Sequence, residues 1–396
     1  MAAQADQVAR SVADYCAARS GAYVERLARL VAIDSGPDEL SGRDAVAEIL
    51  AGWARNCGMD VDMPAHKPGL FVHATLAGSL PGRVILLGHH DTVFPAGTGR
   101  ARPLTVEGSR AYGPGTADMK GGLLVALATL EALAAEGIAL PTVEFVSVPD
   151  EETRKVPFAI IDRLDDATAV LVFECGRENG DFVQGRKTGA WVRLKVQGRS
   201  AHAGTEPERG RSAVLGLSRE ILRCSALSRR RPGLTVTAGT ITGGSIPNVV
   251  PAEAAAVFDV RAMCAADLEW VFHEMRHFGT YDGLHCDLDV IGSWPGIEPT
   301  SAVRRLAQAT VVIGDALGLA LAGQTTGGMS DGCWTAEAGI PTIDGLGPVG
   351  GDDHSPDEYI DLGSVAPRCG LAAGLIVAVG TGLLDSGAPF PGGSCG

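Results

Sequence analysis

Several features that would place this chain in other protein classes are missing from its sequence. It has no CxxC pair, no long low-complexity tract, and no basic segment followed by an apolar run at its start. The lack of such a start predicts that there is no signal peptide. The most apolar stretch near the end, 369–379, is too short to span a bilayer and is interrupted by Gly374. We interpret it as a buried terminal helix and expect no membrane partner.

Positive charge is also scarce, with 33 Lys and Arg against 47 Asp and Glu, which gives a net charge of -14. This balance argues against nucleic acid or an anionic membrane surface as a partner. Nine cysteines are scattered from Cys16 to Cys395, and an odd, scattered set favours reduced thiols in a cytoplasm over a disulfide framework. The tail 385–396 is rich in Gly, Pro and Ser, which predicts disorder.

What is present is a globular composition, 45% hydrophobic and 20% charged, over 396 residues, which is long enough for two domains. In the first half, apolar runs at 84–87, 142–148 and 169–173 predict strands, and helical spacing predicts a helix over 119–136 that ends at Gly137. This alternation is typical of an α/β sheet covered by helices. Polar residues stand at the carboxyl ends of these strands, where open α/β sheets bind ligands.

From about residue 188 the pattern changes to the order β-α-β-β-α-β, which is that of a ferredoxin-like unit. Its predicted strands and helices are 191–196, 211–227, 234–241, 254–261, 267–278 and 286–290. The α/β pattern resumes near Ser301. We therefore predict an inserted α+β domain at 188–297 within a discontinuous domain formed by 1–187 and 298–396.

Residues of the types that bind metal are spread along the first domain. Two imidazoles and three carboxylates can hold two zinc-sized cations if one carboxylate bridges them. Each ion then has three protein ligands and keeps an open position for water, which a hydrolytic site requires. Three consecutive acids after a buried strand also need a compensating cation. The candidates are His89, His90, Asp91, Asp118, Asp150, Glu151, Glu152, Glu174 and His354.

Two other kinds of site compete for these segments. The segment 113–118 half resembles a GxGxxG dinucleotide loop, but Asp118 occupies the third glycine position and no good strand precedes Gly113. Ser330 could belong to a Ser-His-Asp hydrolase, and 328–332 match the letters of GxSxG, but the acids near His354 are better explained by metal. The metal interpretation explains the acids better than either.

The ordered set of metal-binding segments resembles the dinuclear zinc exopeptidases and amidohydrolases, a family that includes glutamate carboxypeptidase (carboxypeptidase G), aminoacylases and succinyl-diaminopimelate desuccinylase. The resemblance runs from about Tyr23 to about Gly380. It implies a zinc-exopeptidase-like, doubly wound mixed sheet with the inserted ferredoxin-like domain, which in relatives mediates dimerisation and acts as a lid. The segments that carry the resemblance are 88–93, 113–122, 149–153, 173–174 and 353–355.

The resemblance also implies a ligand set of two Zn²⁺ per chain, with Co²⁺ or Mn²⁺ as possible substitutes. One ion takes His89, Asp118 and Glu174, and the other takes Asp118, Glu152 and His354. Adjacent histidines could exchange roles, and the family spacing to the following aspartate selects the first of them.

Further roles are implied outside the ligand set. Asp91 stands behind the histidine ligand and fixes its tautomer, and Glu151 is the general base. His202 reaches the partner subunit's site and stabilises the oxyanion, although a capping histidine in a turn is the alternative. Asn248 and Arg261 hold the free carboxylate of the substrate, although Arg261 could instead pair with a neighbouring aspartate, Asp259.

Glutamate specificity is left open by the segment 179–185, where glutamate-specific relatives have a basic residue and this chain has Asp181. Arg186 and Lys187 follow and could substitute for it. We expect a homodimeric metal-dependent hydrolase that cleaves an amide or peptide bond next to an amino acid with a free carboxylate. A carboxypeptidase and an N-acyl-amino-acid deacylase are nearly equal alternatives, and a non-catalytic binding protein on the same fold is a remote one.

Overall fold

A computed structural model describes residues 2–67, 69–154, 158–382 and 384. The predicted disorder of 385–396, which includes Cys395, falls outside these residues. The chain divides into two compact units. Unit 1 comprises the described parts of Met1–Gly185, Pro299–Thr325 and Ser330–Gly396, and unit 2 comprises Arg186–Glu298 and Thr326–Met329.

Helices and short strands follow one another along both units. In chain order, the helices are α1 (Ala2–Ala17), α2 (Ser20–Val31), α3 (Leu40–Asn56), α4 (Thr98–Ala101), α5 (Gly121–Ala135), α6 (Ala213–Ser225), α7 (Ala265–Arg276), α8 (Ser301–Ala316), α9 (Gly332–Glu337) and α10 (Leu362–Gly380). The first strands are β1 (Asp60–Asp62), β2 (Ala65–His66), β3 (Gly69–Leu70), β4 (Val72–Leu76), β5 (Arg83–His89), β6 (Thr105–Glu107), β7 (Arg110–Tyr112), β8 (Thr142–Val148) and β9 (Ala169–Val172). The remaining strands are β10 (Phe182–Arg186), β11 (Thr188–Gln197), β12 (Thr235–Gly243), β13 (Glu253–Ala262), β14 (His285–Trp294), β15 (Gly323–Thr326), β16 (Thr342–Ile343), β17 (Gly350–Gly351) and β18 (Tyr359–Asp361).

The main sheet of unit 1 has the strand order β1-β4-β8-β5-β9-β16. The four strands from β8 to β16 run parallel, whereas β4 and β1 are antiparallel to their neighbours. Successive residues of β5 enter two different core clusters, with Val84 and Leu86 in one and Ile85 and Leu87 in the other. The sheet is therefore covered on both faces, and the predicted mixed α/β fold is confirmed.

Helix α10 packs in the core of unit 1 against α1. Glycines allow the close approach, because a Cβ on Gly370 would lie 2.4 Å from the carbonyl oxygen of Ala9. The helix has 19 residues, so the expectation that this segment is too short to span a bilayer is wrong. By length and composition α10 could cross a membrane, but 72% of its apolar window is buried inside the fold, as in a core helix. The predicted buried terminal helix is confirmed.

Unit 2 has the element order β11-α6-β12-β13-α7-β14 and an antiparallel sheet with the strand order β12-β13-β11-β14. The predicted β-α-β-β-α-β unit is therefore confirmed. Alternation along β11 buries Val192 and Leu194 in the core, whereas Trp191 on the other face is exposed. Thr326–Met329, a segment assigned from sequence to the first domain, belongs to unit 2.

Two local predictions are corrected by the structure. The helix predicted from Met119 starts only at Gly121, because Thr116–Lys120 form a π-turn in which Asp118 and Met119 have non-helical dihedral angles. A short strand, β7, does precede Gly113, where none was expected from sequence. It belongs to a small sheet with β6, β18 and β17.

Candidate metal centre

Two groups of metal-binding side chains converge on one aspartate in unit 1. Asp118 Oδ1 lies 2.9 Å from His89 Nε2, and Asp118 Oδ2 lies 2.9 Å from His354 Nε2. Glu174 Oε1 is 3.6 Å from His89 Nε2, and Glu152 Oε2 is 3.3 Å from His354 Nε2. In each group of three the ligating atoms lie within 4.8 Å of one another. Each carboxylate oxygen of Asp118 therefore faces a different group.

Strand ends bring most of these residues together. His89 is the last residue of β5, Glu151 and Glu152 follow β8, and Glu174 follows β9. These three strands are neighbours and parallel, so their carboxyl ends share one edge of the sheet. The continuous apolar runs that bury these strands thereby place carboxylates and an imidazole at a single edge.

The loop that carries Asp118 is held by Glu358. The Glu358 carboxylate accepts N–H hydrogen bonds from Gly115 at 2.8 Å, Ala117 at 2.8 Å and Asp118 at 3.0 Å. Gly115 has φ of 74°, which a glycine adopts without steric cost. Burial raises the pKa of Glu358 to about 7, although the three N–H donors oppose the rise. Sequence reasoning gave Glu358 no role, because no local sequence pattern indicates a contact between residues that are 240 positions apart.

His354 occupies an unusual backbone conformation. Its φ is 62°, and that of Asp352 is 58°; among the described residues these are the two non-glycine positions with positive φ. The left-handed region is unfavourable for residues with a Cβ, and such strain clusters at functional sites. Between them, Asp353 lies 3.6 Å from the thiol of Cys175. The loop is thus shaped to present the imidazole of His354 to Asp118.

The two adjacent histidines face different surroundings. His89 Nε2 contacts Asp118, while its Nδ1 lies 3.2 Å from Asp91 Oδ1. His90 is fully buried, with Nδ1 2.8 Å from the hydroxyl of Ser147. Burial lowers the pKa of His90 to about 3. It is therefore His89, the residue selected by the family spacing, that lies within the group.

Asp91 connects the histidine to the acid pair. Its two carboxylate oxygens each accept a backbone N–H at 3.1 Å, one from Glu151 and one from Glu152. The same carboxylate contacts His89 Nδ1. Asp91 therefore fixes the ring of one candidate ligand and the backbone of another.

Glu151 lies in an acidic environment. Burial raises its pKa well above the usual glutamate value, and the charges of Asp331, Glu152 and Asp118 add to the rise, while His89 opposes it. Asp331 is itself buried and is held by Arg154 through two bonds of 2.7 and 2.8 Å. Sequence reasoning missed this Arg154–Asp331 pair, although Arg154 directly follows the segment 149–153.

The donor set fits divalent cations. Burial raises the pKa of Glu174 well above its usual value, and the charge of Asp118 raises it further. Glu152 Oε1 is buried and has no hydrogen-bond partner among the described residues. Crowded buried carboxylates with an unsatisfied oxygen require a compensating positive charge. Two imidazoles and three carboxylates are suitable ligands for zinc.

The residues expected to contact substrate lie in unit 2. His202 is exposed, and its Nδ1 accepts N–H hydrogen bonds from Gly204 and Thr205 at 3.1 Å each. Asn248 is also exposed, and its backbone carbonyl oxygen accepts the N–H of Ala203 at 2.9 Å, next to His202. The Nδ1 acceptor role leaves the proton of a neutral His202 ring on Nε2, which can then donate.

Arg261 is engaged by its own neighbours. Its guanidinium bonds both oxygens of Asp259, at 2.9 and 3.0 Å, and stacks 4.4 Å from the ring of Trp294. The pairing with Asp259 is the alternative weighed from sequence. Arg186, considered as a basic substitute in the specificity segment, is buried and donates to the carbonyl oxygens of Gly328 and Met329.

Together, the mixed sheet with its inserted unit and the two ligand groups that share Asp118 define a metal-dependent peptidase or amidohydrolase. Residues 85–378 match the model of Peptidase family M20/M25/M40, and the chain belongs to this family. The resemblance inferred from sequence is thereby confirmed, as is the expectation of a hydrolytic enzyme.

Relatives within the family differ in activity. The chain is 30% identical to carboxypeptidase G2 of Pseudomonas sp. (strain RS-16) over 379 residues, covering 91% of this chain and 90% of the relative. It is 26% identical to acetylornithine deacetylase of Proteus mirabilis (strain HI4320), covering 87% and 92%. The crystal structure of aminopeptidase PepT from Bacillus cereus has the same fold, with a TM-score of 0.77, 22% identity, and 91% and 98% coverage.

Proposed function

We propose that this chain is a dinuclear zinc carboxypeptidase that releases an amino acid with a free α-carboxylate from a small N-acyl or peptidyl substrate. The observation that carries the proposal is the position of Asp118, with one carboxylate oxygen toward each of two ligand groups. A bridging carboxylate requires this arrangement. The likeness to carboxypeptidase G2 over 91% of the chain supports the choice of reaction.

In this proposal one zinc ion is held by His89, Asp118 and Glu174, and the other by Asp118, Glu152 and His354. Zinc held by these residues would polarise the scissile carbonyl and would lower the pKa of a coordinated water to about 7. The buried oxygen of Glu152 that lacks a hydrogen bond among the described residues supports its role as a ligand. The contact between Asp91 and His89 Nδ1 supports a neutral ring that presents Nε2 to the ion.

Glu151 acts as the general base in this proposal. It takes a proton from the attacking water and passes it to the leaving amine. A carboxylate with a raised pKa suits this exchange, because it holds the proton long enough to transfer it. The environment supports the assignment, since burial raises the pKa of Glu151 and Asp91 fixes its backbone.

His202 supplies the oxyanion donor in this proposal, and Asn248 and Arg261 bind the substrate carboxylate. The backbone N–H groups on His202 Nδ1 support Nε2–H as the donor toward a developing negative charge. Arg261 would have to exchange part of its bonding to Asp259 for the substrate carboxylate. This requirement makes Asn248 the stronger candidate of the two.

We also propose a homodimer formed through unit 2, with His202 entering the partner's site. Strand β12 lies at an edge of its sheet and exposes Ile241, and helix α6 exposes Leu215 and Leu222. Unpaired strand edges and exposed apolar side chains are features of subunit interfaces. The nine cysteines are odd in number and scattered along the chain, which supports the further proposal of a cytoplasmic location.

A screen of matched substrates tests the reaction. Dipeptides and N-acyl amino acids are each offered with a free carboxylate and as the carboxamide, with Zn²⁺, with Co²⁺ and with a chelator, and free amino acid is detected with ninhydrin. We expect hydrolysis of the free carboxylates, faster for peptidyl substrates than for acetylated ones. A preference for N-acetyl amino acids would favour the deacylase alternative. The absence of turnover by the zinc-loaded protein on any substrate would favour a binding protein.

A further inference from the structure

A second group of possible metal ligands lies in unit 2, at the end of helix α7. The side chains of His273, Glu274 and His277 bring ligating atoms within 4.8 Å of one another. The two imidazole rings are 4.3 Å apart at their centroids, with an interplanar angle of 77°. All three residues belong to unit 2, whereas the proposed active-site ligands belong to unit 1.

The sequence of this segment, HEMRH at 273–277, matches the HExxH pattern, in which two histidines one helical turn apart bind zinc. His273 lies in the last turn of α7, and His277 is the residue that caps the helix. In metalloproteases the glutamate of this pattern is a base, whereas here a Glu274 carboxylate oxygen lies within 4.8 Å of a ring nitrogen of each histidine. The arrangement therefore favours ion binding over a second hydrolytic centre.

The three side chains are available to an ion. Both histidines are exposed and Glu274 is half-buried. Within the described part of the chain, the two rings contact each other and the Glu274 carboxylate has no hydrogen bond or ion pair. One neighbouring cation, Arg223, is directed elsewhere: it pairs with Glu220 and donates to the backbone carbonyls of Glu274 and Met275.

Helix geometry favours a cation at this place. The carbonyl groups at the carboxyl end of a helix carry partial negative charge, which attracts cations. Two imidazoles and one carboxylate suit Zn²⁺, Cu²⁺ and Ni²⁺ better than Mg²⁺ or Ca²⁺. We propose that His273, Glu274 and His277 form a third divalent-metal site. The site binds Zn²⁺, Cu²⁺ or Ni²⁺ and links the last turn of α7 to its capping residue, His277.

Zinc binding tests the proposal. The wild-type chain, the double variant His273→Ala/His277→Ala and the control His285→Ala, an exposed histidine of unit 2 outside the group, are equilibrated with buffers of increasing free Zn²⁺. Zinc per chain is then measured by atomic emission. We expect the wild type and the control to bind one more ion than the double variant, with hydrolytic activity equal in all three. Equal zinc content in the wild type and the double variant at every concentration overturns the proposal.

A spectroscopic measurement covers the case in which the double variant fails to fold. Trp270 lies one turn before His273 on the same face of α7, so Cu²⁺ at this site should quench its fluorescence. Trp270→Phe defines the part of the quenching that comes from Trp270. His277→Ala, which changes a residue outside the helix, should abolish most of that part. Quenching that persists unchanged in His277→Ala overturns the proposal. Neither measurement depends on whether the ions proposed for unit 1 support hydrolysis.

Discussion

Glu358 holds the backbone of Asp118: its carboxylate accepts the Asp118 N–H at 3.0 Å, and two further N–H groups of the same loop point at it. Asp118 is the side chain on which both ligand groups converge. The position of the proposed bridging carboxylate therefore depends on an acidic residue that belongs to neither ligand group.

This dependence predicts the effect of Glu358→Gln. At pH 8, above the pKa of Glu358 of about 7, the amide replaces a charged acceptor and turns an NH₂ group toward N–H donors. We expect the free energy of unfolding to fall by about 1–3 kcal/mol and the metal affinity to fall with it. Urea unfolding and metal titration measure the two effects, with Glu107→Gln at an exposed position as the control. Unchanged metal affinity in a folded variant would contradict the proposed dependence.

Metal content tests the ligand set. Since Asp118 contributes one oxygen to each group, the wild-type centre in unit 1 should hold two ions, and Asp118→Ala should lose both. Metal analysis should be done with the unit 2 site removed by His273→Ala/His277→Ala, so that only the unit 1 ions are counted. One ion retained at full occupancy in Asp118→Ala would exclude the bridge.

Glu151→Gln tests the general base. The glutamine keeps the size of the side chain but cannot accept the proton, so kcat should fall by at least ~100-fold. Metal content should remain that of the wild type, because Glu151 belongs to neither ligand group. Stopped assays with the preferred substrate and metal analysis of the same sample provide the measurement. Near-normal turnover would show that another group takes the proton.

His202→Ala tests the donor in unit 2. Loss of one oxyanion donor costs on the order of 100- to 1000-fold in kcat, so the variant should be nearly inactive while it still binds metal in unit 1. His285→Ala, an exposed histidine of the same unit, should keep wild-type activity.

Mixing the two inactive variants tests whether the donor acts between subunits. A heterodimer of His202→Ala and Glu151→Gln has one site with both groups intact, so activity should return after subunit exchange. Exchange is verified by native mass spectrometry. Verified heterodimers without activity would show that His202 acts within its own chain or has no part in the reaction.

Glu144 predicts an acid dependence of stability. It bonds His73 at 2.7 Å and Arg83 at 2.6 Å, and these partners lower its pKa from 4.5 to about 2 although burial opposes them. A carboxyl group with a lowered folded-state pKa stabilises the fold above its unfolded value and loses this contribution as pH falls toward the folded value. Glu144→Gln should therefore be less stable than wild type at pH 7, and the difference should shrink between about pH 4.5 and pH 2. Urea unfolding over this range, with Glu107→Gln as the control, measures the difference in the free energy of unfolding. A difference that grew as the pH fell would contradict a lowered pKa of Glu144.

Periodic and apolar patterns in the sequence were sufficient to predict most of the strands and helices. The strand predicted at 142–148 is β8 residue for residue, and the ferredoxin-like order of unit 2 follows from alternation along strands such as β11. Short elements such as β7 were not predicted, because three residues are too few to show a periodic pattern. The π-turn before α5 was not predicted either, because the non-helical dihedral angles of Asp118 and Met119 cannot be read from local helix propensity.

The candidate site divides in the same way. Residues at strand ends, such as His89 and Glu174, could be proposed from sequence because a polar side chain after a buried apolar run is conspicuous. Partners distant in sequence could not: no local pattern links Arg154 to Asp331 or Glu358 to the loop before α5. The HExxH match at 273–277 is different, since it is visible in the sequence and was missed there.

The contact between α1 and α10 has a consequence for the order of folding during synthesis. Helix α1 is made well before α10, and a Cβ on Gly370 would lie 2.4 Å from the carbonyl oxygen of Ala9. The core of unit 1 therefore stays incomplete until α10 has left the ribosome. Unit 2 is almost entirely continuous in sequence, from Arg186 to Glu298, and can fold while the rest of unit 1 is still being made. During that interval the apolar α5 lacks its partner, so chains truncated before α10 should be the ones that aggregate or are degraded.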